Sequence, residues 1–522
     1  MGNSKTAGIV AAYGTILIAA LWLLFYHLDS HVLWGDEAET ANLGRNILQS
    51  GVPSTFNGTN YVLINGSIDE TPGHIWIWAP WLPDYVTAAS FNILGVNTWS
   101  ARAPFALLGW ACLLALGRVA YQVYRNHWIS MASIILLGTS EIFLLHARQC
   151  RYYSLAVFLE IIFMYGLHQL LMRMRSGIWL ATVSLVLLFY TNYIIAFANL
   201  PALLMLFWLR RQDGKAALVP LAIICGVFAV AILPWLAFVH PWIAGHALGR
   251  DNYFWKAASY LLEFHFHFVP LCFFLLPLLA WLRWPRLTDT MPAPESQQWE
   301  QLLVALMPVY FLAILFVPGF YLRYLLPLLP AGCLLAVVWT FRYVKWRAFA
   351  VALLVLQAST NAIPWLTAYP IRHGHQFRLP LVEFVQGMSH PYDNQLSVVM
   401  DYLKAKAAPG EMLMSFDPEL PLQFYTPLAI VDGRLSAPPK GRLPEWFLPQ
   451  SASGVQARDP IPLPDFLKPY YSPATILVPG TILGDSIPEP DIYQYLTATN
   501  QVPFVLYRLK TAGAGTTNST TQ

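Results

Sequence analysis

Hydrophobic residues along the chain gather into apolar runs of roughly 17–25 residues, the length that crosses a bilayer as a helix. The first run is 8–28. Further runs fall near 101–121, 128–145, 154–171, 178–193, 194–209, 217–239, 258–282, 301–317, 325–341 and 348–368, so the pattern predicts about eleven spans. The fifth and sixth meet tightly at Asn192-Tyr193. No small-residue cleavage site follows the first run, which therefore reads as an uncleaved anchor.

The segment 29–100 between the first two runs is too long to be a mere connection. Positions 36–49 alternate at helical spacing, which predicts an amphipathic helix. The stretch Ile75-Trp76-Ile77-Trp78-Ala79-Pro80-Trp81 is apolar enough to imitate a span, but Pro80, Pro83 and Asp84 predict an interfacial helix on the membrane surface. After residue 370 the apolar runs shorten and Pro, Asp and Gly become frequent. The pattern there predicts helices at 392–406 and 418–425 and strands at 411–416, 428–432, 474–479 and 504–510. The division expected is a transmembrane domain over 1–370, a small α/β domain over 371–510 and a disordered Gly/Ser/Thr/Asn-rich tail over 511–522.

Composition agrees: 57% of the 522 residues are hydrophobic and 11% charged, against about 25% charged in soluble proteins. A net charge of +3 is too small to point to nucleic acid, and the five scattered cysteines form no disulfide framework. Charge placement says more than its sum. With a cytoplasmic N-terminus, the cytoplasmic turns hold Lys5, Arg118, Arg125, Arg173, Arg175, Arg210, Arg211, Lys215, Arg283, Arg286, Arg342, Lys345 and Arg347, as the positive-inside rule requires. The segment 29–100 and everything after 370 then lie outside. Counting 75–81 as a span would invert every later turn and break the rule.

Seven cations remain on the outer side: Arg45, Arg102, Arg148, Arg151, Arg250, Lys256 and Arg323. Cations from distant loops at one membrane depth could converge on an anionic headgroup, and arginine suits phosphate through its planar fork. The alternative is snorkelling or pairing with Asp69, Asp84 or Asp251. Asp36 and Glu37 begin the amphipathic helix beside the first run, where carboxylates also favour a helix start. Glu141, Glu160 and Glu263 fall in or near apolar runs, where ionisable groups are costly and usually functional. His265 and His267, two residues apart on a helix, are poorly spaced to share a metal. Glu70 and His246 are the only tentative metal ligands. No HExxH, CxxC, P-loop or GxSxG pattern occurs.

Several stretches, taken in order, carry a family likeness. They are Leu33-Trp34-Gly35-Asp36-Glu37-Ala38 with 41–51 behind it, Asp69-Glu70-Thr71-Pro72, Phe91-Asn92-Ile93-Leu94-Gly95, Ala101-Arg102-Ala103-Pro104, residues 146–153, Leu233-Pro234-Trp235, and Leu322-Arg323-Tyr324-Leu325-Leu326-Pro327. In these the chain resembles membrane glycosyltransferases of the GT-C superfamily, nearest the protein O-mannosyltransferase and aminoarabinose transferase branch and its bacterial lipopolysaccharide-sugar relatives. The resemblance implies a GT-C-like fold, a polyprenyl-phosphate-linked sugar as donor, and a site under the first outer loop. Asp36 matches the family's general base. Glu37 and Glu70 would hold the acceptor or orient the site. Thr71 stands where aminoarabinose transferases carry lysine, and Arg148, Arg151 and Tyr153 stand where many relatives have an acid.

These departures lead to the expectation that Arg148, Arg151, Tyr153, Arg323, Tyr324, Arg250 and Lys256 bind the donor phosphate. No cofactor is then required, although a divalent cation is possible. The acceptor would be a lipid, glycan or protein, and membrane lipids are the other partners. A carboxylate can take the acceptor's proton as it attacks the anomeric carbon, and preplaced cations can stabilise the departing lipid phosphate. Base and leaving group on opposite faces imply inversion. The location expected is a bacterial inner membrane with the C-terminal domain periplasmic. A transporter or flippase of a lipid-linked sugar, or a non-catalytic assembly subunit, are the alternatives.

Overall fold

A computed structural model of the chain describes residues 2–64, 66–240, 252–283, 294–317, 319–369, 375–389, 395–415, 419–433, 442–449, 463–479 and 500–510. The helices are α1 (Gly2–Phe25), α2 (Gly35–Ser50), α3 (Leu82–Leu94), α4 (Thr98–Tyr124), α5 (His127–Gly138), α6 (Glu141–Ala147), α7 (Tyr153–Leu171), α8 (Ser176–Thr191), α9 (Tyr193–Leu209) and α10 (Lys215–Val239). They continue as α11 (Tyr253–Glu263), α12 (Cys272–Arg283), α13 (Pro294–Leu315), α14 (Leu329–Tyr343), α15 (Arg347–Ser359), α16 (Ala362–Thr367), α17 (Pro380–Ser389), α18 (Gln395–Lys406) and α19 (Glu419–Tyr425). The strands are β1 (Met412–Ser415), β2 (Ala429–Asp432), β3 (Trp446–Phe447), β4 (Tyr471–Pro479) and β5 (Gln501–Leu509). The chain divides into two compact units. One is Met1–Leu28 with Ile77–His390; the other is Asp29–Trp76 with Pro391–Gln522.

The first unit is the helical, membrane-spanning one. Among the described residues six helices are long and apolar enough to cross a bilayer, or seven if the bent pair His127–Gly138 and Glu141–Ala147 counts as one span. The sequence expectation of about eleven is not reproduced, because several runs are shorter or broken. The run 258–282 splits into α11, a π-helical turn Phe264–Phe268, and α12. Pro270 cannot supply the N–H that a continuing helix needs, and the Leu271 N–H instead donates to His265 Nδ1 at 3.0 Å. The run 128–145 bends by 67° after Gly138. At Asn192 the backbone turns extended and its side chain caps α9, accepting from the Ile194 and Ile195 N–H groups. Helices α8, α9 and α15 are apolar but shorter than the six.

Helices α7 and α8 pack through glycine. A Cβ on Gly166 would sit 2.6 Å from the Ala181 backbone nitrogen, and one on Gly177 would sit 2.7 Å from Gly166 O. Small residues let membrane helices approach this closely. Gly166→Leu should therefore destabilise the unit by about 1–3 kcal/mol or more, read as a lowered unfolding midpoint in detergent. Gly14→Leu, where a Cβ meets nothing within 4 Å, should leave the midpoint unchanged.

A second brace joins α13 to α14. Arg342 donates to both Glu300 oxygens at 2.6 and 2.7 Å, Trp339 Nε1 adds a bond at 3.0 Å, and Tyr124 OH reaches Glu300 Oε1 at 3.3 Å. Glu300 is buried. Removing one member of such a pair strands the other, at a cost of about 3–5 kcal/mol. Glu300→Leu should lower the unfolding midpoint sharply, and Glu300→Leu with Arg342→Leu should recover much of it.

The second unit is a five-stranded sheet in the order β2-β1-β3-β5-β4. β1 runs parallel to β2 and β3, while β5 is antiparallel to β3 and β4. Leu396, Val399, Met400 and Leu403 recur at helical spacing on α18 and enter one core with Leu413, Leu422, Ile430, Trp446, Val478 and Leu506. The sequence pattern predicted both helices and four of these strands; β3 is too short to show a period.

Residues 29–76 of the first long loop cluster with this unit, while 77–100 cluster with the helical one. Polar side chains explain why. Asn42 Nδ2 donates to Leu420 O at 3.0 Å, and Asn60 pairs with Leu428 O and the Ile430 N–H at 3.0 and 2.7 Å. Tyr425 OH accepts from the Leu33 N–H at 3.0 Å. The aromatic stretch 75–81 is not helical. Ile75 and Trp76 make isolated bridges to Ser54 and Glu70, Trp76 is fully buried, and the helix begins only at Leu82.

Candidate active site

In the sheet unit, Asp36 and Glu37 occupy the first turn of α2. Glu37 is fully buried, and its Oε2 accepts from the Trp34 N–H at 3.4 Å. It therefore works at least as a cap, tying the helix start to the chain that enters it. Asp36 is only half-buried, and its carbonyl accepts from Thr40 Oγ1 at 3.2 Å. Of the three acids here, Glu39 is also buried. Glu70 accepts from Thr55 and pairs with His74 Nδ1 at 3.0 Å, while Asp69 Oδ2 takes the Ile64 N–H at 2.6 Å. Glu70 thus holds its own loop together. His246, its tentative metal partner, lies outside the described residues, as does Arg250.

Four of the predicted outer cations bond to backbone carbonyls. Arg45 donates to Phe424 O and Gln423 O at 3.4 and 3.2 Å, at the end of α19. Arg102 donates to Leu28 O at 3.0 Å. Arg148 donates to Leu23 O, Tyr26 O and His27 O at 2.8, 2.8 and 3.0 Å, covering the carbonyl end of α1. Lys256 donates to Val317 O. Each of these satisfies backbone carbonyls that a helix end or break leaves open. Arg148 and Lys256 were expected on donor phosphate; the structure gives both a backbone task.

Arg151 and Arg323 lie in two other segments of the helical unit. Arg323 and Tyr324 lie in the 3-10 segment Leu322–Leu328, which packs on α6 and α7. That brings them to Arg151, Tyr152 and Tyr153, which lead into α7. The Arg151 guanidinium lies 5.8 Å from the Tyr152 ring centre, and that of Arg323 lies 4.4 Å from the Tyr321 ring. Burial raises the Tyr152 phenol well above its usual range; Tyr324 and Tyr153 add to the rise, and the Arg323 and Arg151 charges oppose it. Arg151 and Arg323 come from segments some 170 residues apart in the sequence.

His146 completes the cluster. Its ring stands edge-on to Tyr153 at 4.9 Å, and its Nδ1 faces Ile142 O at 2.8 Å. The buried Nε2 has no hydrogen-bond partner among the described residues. A proton on Nδ1 leaves a lone pair on Nε2, an acceptor among donors. The sequence pattern does not single out His146 or Tyr152; the signal is that each arginine here is followed directly by a tyrosine.

No family model and no curated protein matches the chain by sequence. Solved structures do match. ArnT from Cupriavidus metallidurans bound to undecaprenyl phosphate superposes with a TM-score of 0.53 at 16% identity, covering 80% of this chain and 85% of that one. The same protein in the apo state gives 0.54 at 16% identity, covering 82% and 86%. The chain shares the fold of these ArnT structures and, with its long apolar helices, is a multi-pass integral membrane protein.

Proposed function

We propose that the protein is an inverting glycosyltransferase that moves a sugar from a polyprenyl-phosphate donor to an acceptor hydroxyl or phosphate on a lipid, glycan or protein at the outer face of a bacterial inner membrane. In this reading the N-terminus is cytoplasmic and the sheet unit periplasmic. The observation that carries the proposal is the packing of the Leu322–Leu328 segment, which bears Arg323, on α7, whose start follows Arg151 and Tyr152. Guanidinium groups gathered from two distant segments suit a phosphate, and the fold is one in which a neighbour is seen with undecaprenyl phosphate bound.

The roles divide as follows. Arg151 and Arg323 hold the donor phosphate and stabilise the charge that develops as it leaves. Tyr153 and Tyr324 line the same place, and His146 Nε2 accepts from a hydroxyl of the transferred sugar. Asp36 takes the acceptor's proton. Attack by the acceptor oxygen forms the new bond to the anomeric carbon as the bond to the phosphate oxygen breaks, and the phosphate keeps the electron pair. Glu37 and Glu70 keep the first loop in shape. No step is assigned to a metal.

The test is transfer by the purified protein in lipid nanodiscs, offered polyprenyl-phosphate sugars and membrane acceptors. The product should carry the anomeric configuration opposite to the donor's, read by NMR coupling. Retained configuration would reject direct displacement, and uptake into sealed vesicles without transfer would favour a transporter.

A further inference from the structure

We propose that Glu263, His267 and His375 in the helical unit bind one divalent transition-metal ion of the zinc type. Glu263 ends α11 and His267 lies four residues on, in the π-helical turn Phe264–Phe268. Such turns are uncommon and often mark functional sites. His375 comes from the segment that follows α16.

The ligand atoms converge. His267 Nε2 is 3.1 Å from Glu263 Oε2, and His375 Nε2 is 3.6 Å from Glu263 Oε1. One ligand atom from each residue lies within 4.8 Å of the others. Zinc bonds of about 2.0–2.2 Å in a tetrahedral site place neighbouring ligand atoms about 3.3 Å apart, so only small shifts are needed. All three side chains are mostly shielded from solvent, at 19%, 8% and 11% exposure for Glu263, His267 and His375.

The surroundings hold the ligands in place. His375 stacks on Phe266 with ring centres 3.9 Å apart. Its segment is fixed by Asn361, whose Nδ2 donates to Gln376 O at 2.8 Å and whose Oδ1 takes the Arg378 N–H at 2.7 Å. Arg378 in turn pairs with Glu141 and Glu383 at 3.0 and 2.6 Å. His265 is excluded from the set because its ring nitrogens face the Leu271 N–H and Pro364 O. Two imidazoles and a carboxylate make an open set suited to zinc, with a fourth place for water. The ion would clamp the segment around residue 375 to the end of α11, and it takes no part in glycosyl transfer.

The test uses the full chain in nanodiscs, stripped with a chelator and reloaded with zinc or cobalt(II). Wild type should retain about one more equivalent of zinc than His375→Ala or Glu263→Gln. Its cobalt form should show the visible bands of a four-coordinate ion, and chelator should lower its unfolding midpoint. Both variants should lack the bands and the chelator response; Glu263→Gln keeps the side chain's shape, so it covers a folding failure of His375→Ala. Equal zinc content in wild type and variants, or a wild-type midpoint indifferent to chelator, would leave only an ion pair and overturn the site.

Discussion

Asp36→Asn should slow sugar transfer by about a hundredfold to ten-thousandfold, the range lost with a general base, while donor binding and the unfolding midpoint stay near wild type. Asparagine has the same shape but cannot take a proton at neutral pH. Asp36 is the half-buried member of a trio whose others, Glu37 and Glu39, are buried. Glu37→Gln is the informative contrast. A glutamine oxygen can still accept from the Trp34 N–H, so the cap survives and activity should fall far less. Turnover by Asp36→Asn at the wild-type rate would remove Asp36 from the mechanism.

Arg323→Gln should weaken donor affinity by about ten- to a hundredfold, from the loss of one charge-assisted bond worth about 1.5–3 kcal/mol. It should also lower kcat, because phosphate charge grows as the sugar leaves. Arg151→Gln should act in the same direction, and the two changes together should fall short of additivity if both arginines serve one phosphate. Arg148→Gln should behave differently. Its guanidinium covers three carbonyls at the end of α1, so the loss should appear in the unfolding midpoint first. Competition binding of a fluorescent polyprenyl phosphate, with thermal unfolding of the same samples, separates the two outcomes.

The contrast between Arg148 and Arg323 shows what the sequence could and could not reveal. Charge counting picks out cations that run against the orientation bias, and four of the seven, Arg45, Arg102, Arg148 and Lys256, meet backbone carbonyls. It cannot tell a backbone carbonyl from a substrate phosphate as the partner of such a cation. Those carbonyls are left open by helix ends or breaks, and those ends are defined only once the chain has folded. Period reading succeeded where elements have a period. The spacing of Leu396, Val399, Met400 and Leu403 marks α18, and the alternation at 36–49 marks α2.

It failed where local chemistry breaks a run. Hydropathy averages over Pro270 and over the bend after Gly138, and so merges pieces that the structure separates. The aromatic stretch 75–81 misled for a related reason: tryptophan serves a buried core as well as a membrane surface, and Trp76 is fully buried. The cluster Glu263, His267 and His375 was hidden because two of its members lie on one turn and the third more than a hundred residues further on.

The most direct test of the central claim is equilibrium binding of a polyprenyl phosphate to the full chain in nanodiscs, comparing wild type, Asp36→Asn and the double variant Arg151→Gln/Arg323→Gln. The account predicts saturable binding by wild type, equal binding by Asp36→Asn, and binding weaker by about a hundredfold or more in the double variant. Undiminished affinity in a well-folded double variant, or no saturable binding by wild type, would contradict it.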